Sequence, residues 1–434
     1  MARPLNELSA REIVRGTAAR DFTAEAVTRE CLSRIKARDS LVKAWVFVDP
    51  EIALAQARAR DRSSAKGPLH GVPVGIKDII DVVDMPTEMG SPIYKDYRPG
   101  KDAASVALLR AAGAVILGKT VTCEFAGLTP NVTRNPRDSA RTPGGSSSGS
   151  AAAVADVMAP LATGTQTGGS VIRPASFCGV VGYKPSFGLI SRDGMKFAAE
   201  SRDTIGTFAR SVADTDLVAA VLTGRAPISS WPDAAPRIGL CRTHYWQDAA
   251  PETVNAVMDA AHRLAHAGAS IRDVVLPENF KDLGEARAAV NPFERARAMA
   301  HEWNTKPELL SERLRRTVEE GLKIPHSRYV AALAMMKDRR DQFARLFDGV
   351  DILLAPCVKG EAPEGFEFTG EPRFQELWTA LHVPAITIPT HTGPNGLPVG
   401  IQLIAPQYQD EKLLMASRWV FTRLGPGAGV EPEP

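Results

Sequence analysis

Along the N-terminal stretch, apolar positions recur at helical spacing. Ser9-Ala-Arg-Glu12 fits the S-x-x-E pattern in which serine and glutamate satisfy each other's backbone N–H groups, so a helix is predicted to begin there. Thr23 is predicted to cap a second helix, with Val27, Cys31 and Ile35 as its buried stripe. Ala53 to Arg62 also reads as helix. From Gly67 to about Gly188 the chain turns to Gly, Pro, Ser and Thr around short apolar runs. Val72 to Ile76 and Ala114 to Leu117 read as strands, with a helix at Ala103 to Ala112 between them. Ala151 to Met158 reads as a helix opened by the serines before it, and Pro160 to Thr163 as the start of another strand. Helices alternating with short strands are the α/β texture.

Beyond Gly224 the pattern changes again. Ala226 to Pro236 is a turn-rich connection, Ile238 to Cys241 a strand, and Pro251 to Ala267 a helix. Ala286 to Phe347 is mostly helical and highly charged. Asp351 to Leu354 and Ala385 to Ile388 are short strands, and Glu411 to Leu424 is a closing helix. The tail, 425–434, is rich in Gly, Pro and Glu and is predicted to be disordered. No internal repeat is found.

Composition narrows the classes. Apolar residues make up 44% and charged residues 24% of 434, an ordinary globular balance in a chain long enough to bury a large core. With 52 basic and 50 acidic residues the net charge is +2, which carries no nucleic-acid footprint. Cys31, Cys123, Cys178, Cys241 and Cys357 are odd in number and never form C-x-x-C. That pattern argues against a disulfide framework or a structural zinc site and for small buried residues. The stretch from Met1 to Ala19 lacks the apolar run of a signal peptide, and no window reaches 18 uncharged apolar residues. A reducing cytoplasm is expected, with no membrane partner.

Three segments carry chemistry. Gly71-Val-Pro-Val-Gly-Ile-Lys77-Asp78 ends an apolar strand on a lysine. Pro143-Gly-Gly-Ser146-Ser-Ser148-Gly-Ser150 leads into an Ala-rich helix. Gly164-Thr-Gln166-Thr167-Gly168-Gly169-Ser170 precedes Val-Ile-Arg-Pro-Ala-Ser. A serine hydroxyl needs a neighbouring base to become a nucleophile. Lysine can be that base only when neutral, which requires burial to lower its pKa of about 10.4 by roughly 3 units. A strand end such as Lys77 offers that burial, and a second serine can relay the proton. Glycines before the nucleophile let backbone N–H groups converge on a developing oxyanion.

These segments resemble the amidase signature family of Ser–cisSer–Lys hydrolases, whose pattern is G-G-S-S-G-G followed by G-T-D-T-G-G-S-I-R-x-P. Lys77 precedes Ser146 by 69 residues, a separation typical of that family. The flanks resemble it as well: His70-Gly-Val-Pro-Val-Gly-Ile-Lys-Asp, Arg134-Asn-Pro-Arg-Asp, Phe177-Cys-Gly-Val-Val-Gly-Tyr-Lys-Pro-Ser, Val383-Pro-Ala-Ile-Thr-Ile-Pro and Gly396-Leu-Pro-Val-Gly-Ile-Gln-Leu-Ile. The resemblance implies an α/β fold. A single large α/β/α domain over 1–424, with a mixed β-sheet flanked by helices, would hold a signature core at about 67–190 and a helical insertion at about 286–347. It implies Ser170 as nucleophile, Ser146 as proton relay after a cis peptide bond, and Lys77 as general base. The N–H groups of Gln166, Thr167, Gly168 and Gly169 would form the oxyanion hole. No metal and no organic cofactor are implied. Met85, Cys123, Gly144 and Gly145 are weaker candidates for substrate contact. Specificity is expected from 85–97, 123–133, 195–201 and 286–336.

The expected function is a stand-alone amidase acting on a small amide through an acyl-enzyme on Ser170. Ester or carbamate (urethane) hydrolysis shares that chemistry. The alternative is the ammonia-releasing component of a tRNA-dependent amidotransferase, its A subunit, which draws on glutamine or asparagine and works beside a second protein. The partner expected is a small-molecule amide, and a homodimer is left open.

Two departures from the family pattern shape the expected substrate. Most members have Asp four residues before the nucleophile and Arg two after it; here these positions are Gln166 and Ile172, with Arg173 one place later. Where that Arg grips a substrate carboxylate, Ile172 cannot, so an uncharged, more apolar acyl group is expected. Ser148 also stands where the family has glycine.

Other motifs are set aside. Gly113-Ala-Val-Ile-Leu-Gly118-Lys119-Thr120 fits the phosphate-loop pattern of a nucleotide-binding protein, but its variable residues read as the strand itself and no helix follows. Gly145-Ser-Ser147-Ser-Gly149 fits G-x-S-x-G without the strand that a nucleophile elbow needs. Ser33-Arg-Ile-Lys36 lies on an amphipathic helix. His262 and His266 lack a third metal ligand and read as a solvated helix face.

Overall fold

A computed structural model describes residues 3–231 and 233–425. One mixed sheet of eleven strands runs through it. The strands are β1 (Trp45–Phe47), β2 (Pro73–Lys77), β3 (Val115–Thr120), β4 (Leu161–Gln166), β5 (Val181–Lys184), β6 (Thr204–Ala209), β7 (Arg237–Leu240), β8 (Ser270–Asp273), β9 (Ile352–Pro356), β10 (Ala385–Thr392) and β11 (Pro398–Ile404). Across the sheet the order is β1-β3-β2-β4-β6-β5-β10-β11-β9-β7-β8. β2 lies parallel to β3 and β4, whereas β4, β6, β5, β10, β11 and β9 pair antiparallel in succession.

The helices are α1 (Ala10–Ala19), α2 (Ala24–Val42), α3 (Pro50–Arg62), α4 (Ala104–Ala111), α5 (Ser148–Ala155), α6 (Ile172–Cys178), α7 (Val212–Thr223), α8 (Pro251–His266), α9 (Asp282–Ala298), α10 (Ala300–Thr305), α11 (Glu312–Lys323), α12 (His326–Phe343), α13 (Arg373–Ala380) and α14 (Asp410–Leu424). The capping box at Ser9 and Glu12 is formed, and Thr23 caps α2 through the N–H of Ala26. Every residue of β2, β3, β4, β5 and β6 is buried. Strands covered on both faces need no polar alternation. Such strands usually read as continuous apolar runs, but Gly, Thr and Lys interrupt Val-Gly-Tyr-Lys and Thr-Ile-Gly-Thr-Phe-Ala, so β5 and β6 are not evident from the apolar pattern.

The expected α/β architecture is present. The helical insertion begins slightly earlier than read from sequence, at Asp282, and α9 packs on α11, α12 and α13. The phosphate-loop pattern ends inside β3, which takes up its residues from Val115 to Thr120, and Lys119 pairs with Asp78 (2.8 Å). Ser33 and Lys36 lie on α2, and His262 and His266 are exposed on α8. All five cysteines are buried. Among the described residues, no helix is long and apolar enough to cross a membrane. The predicted disorder of the tail falls, except for Gly425, outside the described residues.

Candidate active site

The central strand β2 delivers Lys77 into the interior with no exposed surface. Its Nζ donates to Ser146 Oγ (2.8 Å) and Thr165 Oγ1 (2.7 Å). Burial, the largest cause, pushes the ammonium down to about 7 against the opposing effect of Cys123 and Asp203. The neighbouring Lys119 is buried too, but it is tied to Asp78, Thr87 Oγ1 (2.6 Å) and the Pro86 carbonyl (3.1 Å). Lys77 alone of the two faces hydroxyls without a carboxylate partner.

Ser146 arrives on a tightly packed turn. The Gly145–Ser146 peptide bond is cis, and Gly144 has φ +82°. A Cβ on Gly145 would stand 2.9 Å from Cys123 Sγ and from a Thr369 methyl, so only glycine fits. The serines after it are stitched to β4. Ser147 Oγ accepts from the Thr165 N–H (3.2 Å), and Ser150 Oγ donates to the Thr163 carbonyl (2.7 Å). Ser148 Oγ accepts from Asn131 Nδ2 (2.8 Å), which accounts for a side chain where the family has glycine.

β4 ends at Gln166, and the chain then turns through Thr167, Gly168, Gly169 and Ser170 into α6. The Gln166 side chain caps that helix: Oε1 accepts from the N–H groups of Val171 (2.9 Å) and Ile172 (3.0 Å), and Nε2 donates to Thr379 Oγ1 (3.0 Å). The first N–H groups of a helix have no internal partner, so this cap fixes the angle at which the turn leaves the sheet. A Cβ on Gly169 would meet Gln375 Oε1 at 2.2 Å. Among the described residues, the N–H groups of Thr167, Gly168 and Gly169 find no protein acceptor, while Gln166 lies in register with Thr204 inside the sheet. Ser170 is half-buried. Lys77 and Ser146 are thus brought together, but no hydrogen bond joins Ser146 to Ser170 in this state.

A cleft of about 350 Å³ opens at Ser170. Its inner wall is Thr167 to Ser170 with Arg173, and its outer walls come from 124–129, Ala198, Ala199, α9, α11 and α13. Three of the four segments expected to shape specificity line it; 85–97 does not. Met85 is a core residue packed with Ile79, Val82 and Met195. Cys123 and Gly144 border a separate small crevice and Gly145 is buried, so none of the four weaker candidates lines the main cleft.

The cleft also differs from the apolar one expected from Ile172. Ile172 points into the core with Phe177, Leu353 and Trp378. Arg173, one residue on, faces the cleft instead. Its Nη2 donates to the Gly145 carbonyl (2.6 Å) and Nε to the Thr369 carbonyl (2.7 Å), while Nη1 is buried with no partner. Burial lowers its pKa to about 10, so it stays a cation at neutral pH. Arg287, Arg295 and Arg313 add positive charge to the lining, offset by Glu124, Glu320 and Glu376. Arg287 pairs with Glu376 (3.0 Å), and Glu124 Oε2 is buried without a partner. Sequence reading missed Pro372 and Glu376 altogether. Arg287, Asn291 and Arg295, at four-residue spacing on one helix face, were a usable signal.

A buried amine whose pKa burial brings down to about 7, held against a serine beside a serine-bearing turn of unpaired N–H groups, is equipment for attack on a carbonyl carbon. The chain belongs to the amidase family: the family model described as Amidase matches residues 26–414. It is an enzyme of amide C–N bonds. Among curated relatives, the A subunit of the glutamyl-tRNA(Gln) amidotransferase from Alkaliphilus metalliredigens (strain QYMF) is 31% identical over 97% of each chain. Among solved structures, one reported as a vestigial protein complex that reveals the origins of an s-triazine catabolic enzyme matches with TM-score 0.89 and 30% identity, covering 97% of this chain and 100% of that one. The native peptide amidase from Stenotrophomonas maltophilia matches with TM-score 0.85 and 29% identity, covering 98% and 99%.

Proposed function

We propose that this protein hydrolyses a small amide that carries a carboxylate, through an acyl-enzyme on Ser170. The observation that carries the catalytic half is the 2.8 Å contact between Lys77 Nζ and Ser146 Oγ, made by a fully buried lysine without an acidic partner. In this reading Ser170 Oγ attacks the amide carbon and passes its proton to Ser146, whose own proton goes to Lys77. The N–H groups of Thr167, Gly168 and Gly169 receive the oxyanion. The C–N bond breaks as the proton returns to the leaving nitrogen, and water then opens the ester by the same relay. Contact between Ser146 and Ser170 tightens in the substrate complex, as catalytic hydrogen bonds often do.

The substrate half rests on Arg173. A buried guanidinium with an unused N–H and no ion partner is costly, and a ligand carboxylate offsets that cost. This replaces the uncharged acyl group expected from Ile172. Glu124 Oε2 offers an acceptor for an N–H of the same ligand.

The full-length match to the ammonia-releasing chains of tRNA-dependent amidotransferases favours a second reading, in which this chain releases ammonia from glutamine within a complex. Both readings need a carboxylate on the substrate, and they differ in dependence on a partner. The test is hydrolysis by the purified chain of carboxylate-bearing amides, matched neutral amides, an aryl carbamate and glutamine. The first reading expects acid amides to be cleaved by the chain alone, with Ser170→Ala losing about 10³-fold or more of the rate. Activity on neutral amides only would overturn the substrate class. Activity on glutamine that appears only with a partner protein would install the second reading.

A further inference from the structure

One carboxylate joins two walls of the cleft. Asp203 is 2% exposed and stands at the start of β6, next to the strand that carries the Ser170 turn. Its Oδ1 accepts from the hydroxyl of Thr167. Its Oδ2 accepts from the N–H groups of Ala198 (2.6 Å) and Ala199 (3.0 Å). Thr167, Ala198 and Ala199 all line the cleft. No cation forms an ion pair with Asp203 among the described residues; Lys77 and Arg295 act on it only from a distance. A carboxylate fully removed from water and held by three hydrogen bonds alone is an expensive way to close a loop.

The Thr167 turn needs such a tie. Gly168 and Gly169 have no side chains to anchor them. The Gln166 cap acts beyond the turn, on Val171 and Ile172, and within the glycines the anchors hold carbonyls rather than N–H groups: Thr379 Oγ1 donates to the Gly168 carbonyl (2.7 Å), and the Arg173 N–H donates to the Gly169 carbonyl (2.9 Å). Thr167 is the first residue past the sheet, and its side chain is the turn's anchor at that end.

We propose that Asp203, acting through the Thr167 hydroxyl, is a positioning residue that aims the Thr167–Gly169 N–H groups at the oxyanion. This rests on the reading of Ser170 as nucleophile. Because Asp203 also holds Ala198 and Ala199, the wall that meets the substrate and the turn that meets the oxyanion move as one piece.

The test is the series Thr167→Val, Thr167→Ser and Asp203→Asn, read by kcat, KM and affinity for a small boronic acid bearing a carboxylate. The boronate forms a tetrahedral adduct on serine, so it reports the oxyanion geometry directly. Thr167→Val keeps the shape and removes the hydroxyl, leaving Asp203 its two backbone N–H donors, and Thr167→Ser, which keeps the hydroxyl, is the control for folding. Thr167→Val is expected to lower kcat about 10- to 100-fold, the scale of a misplaced oxyanion donor, and to weaken boronate binding by a similar factor. KM stays near the wild-type value, and Thr167→Ser restores both kcat and boronate affinity. Asp203→Asn is expected to fall between the parent and Thr167→Val, because its one remaining oxygen serves a single wall while its NH2 can still donate to the Thr167 hydroxyl. Wild-type kcat in Thr167→Val overturns the proposal. So does a Thr167→Ser variant as impaired as Thr167→Val, which would make the methyl group the important part. If Ser170→Ala is as active as the parent, the nucleophile reading itself fails, and that outcome is separate from the Thr167 series.

Discussion

Lys77 ends β2 and Lys184 ends β5, and the two strands lie in the same sheet. Both lysines are fully buried, and burial pushes both down to about 7. Their neighbours differ. Lys77 meets the hydroxyls of Ser146 and Thr165, whereas Lys184 Nζ donates to the carbonyls of Pro185 and Val383 (2.7 Å each). A carbonyl has no proton to give, so a neutral Lys184 has nothing to take. A depressed pKa therefore marks burial, and it becomes a catalytic property only beside a proton donor that reaches substrate.

The sharpest way to break this comparison is to replace each lysine by methionine. Lys77→Met is expected to lower kcat by about 10²- to 10⁴-fold, the usual share of a general base. Lys184→Met is expected to keep kcat while losing roughly 1–3 kcal/mol of stability for each carbonyl left buried and unpaired. Steady-state kinetics and denaturant unfolding on both variants check this. Equal loss of kcat in the two would remove the distinction.

A smaller effect lies in the pH profile. Lys77 must be neutral to accept a proton, so kcat/KM on a substrate of constant charge should rise with pH and level off above about 7. Below that point the rate should fall about tenfold per pH unit, the behaviour of one titrating group. Lys184→Met should leave the midpoint in place. A midpoint near 10 would mean that Lys77 is charged in the working enzyme.

The triad candidates were legible because each sits in a short motif whose residues tolerate few neighbours. Gly145 and Gly169 are glycine because Cys123, Thr369 and Gln375 leave no room for a Cβ. The cleft was much less legible. Successive residues on a helix point about 100° apart, so the entry angle of α6 decides whether Ile172 or Arg173 faces the ligand. That angle is set by Gln166, whose cap cannot be read without knowing where β4 ends. Glu376 reaches Gly168 across more than two hundred residues of chain, brought there by the antiparallel run of β10, β11 and β9. Met85 lies close to Lys77 in sequence, yet it packs in the core with Ile79, Val82 and Met195 rather than lining the cleft.

The smallest effect tests whether the two lysines are alike in the one respect claimed. In each, the folded-state pKa is about 7 and the unfolded value is about 10.4. Below pH 7 both states hold the proton, and above about 10.4 neither does. Between these limits the unfolded chain binds a proton that the folded chain does not. Stability must therefore rise with pH there, by at most about 1.4 kcal/mol per pH unit for each lysine. Other groups titrate as well, but the difference between parent and variant isolates one site. Lys77→Met and Lys184→Met should each flatten the slope of unfolding free energy between pH 7 and 9 by a similar amount, although only one of them abolishes turnover. If only Lys77→Met flattens it, then Lys184 keeps its proton with help from the nearby Asp410, and the two sites differ in charge as well as in neighbours.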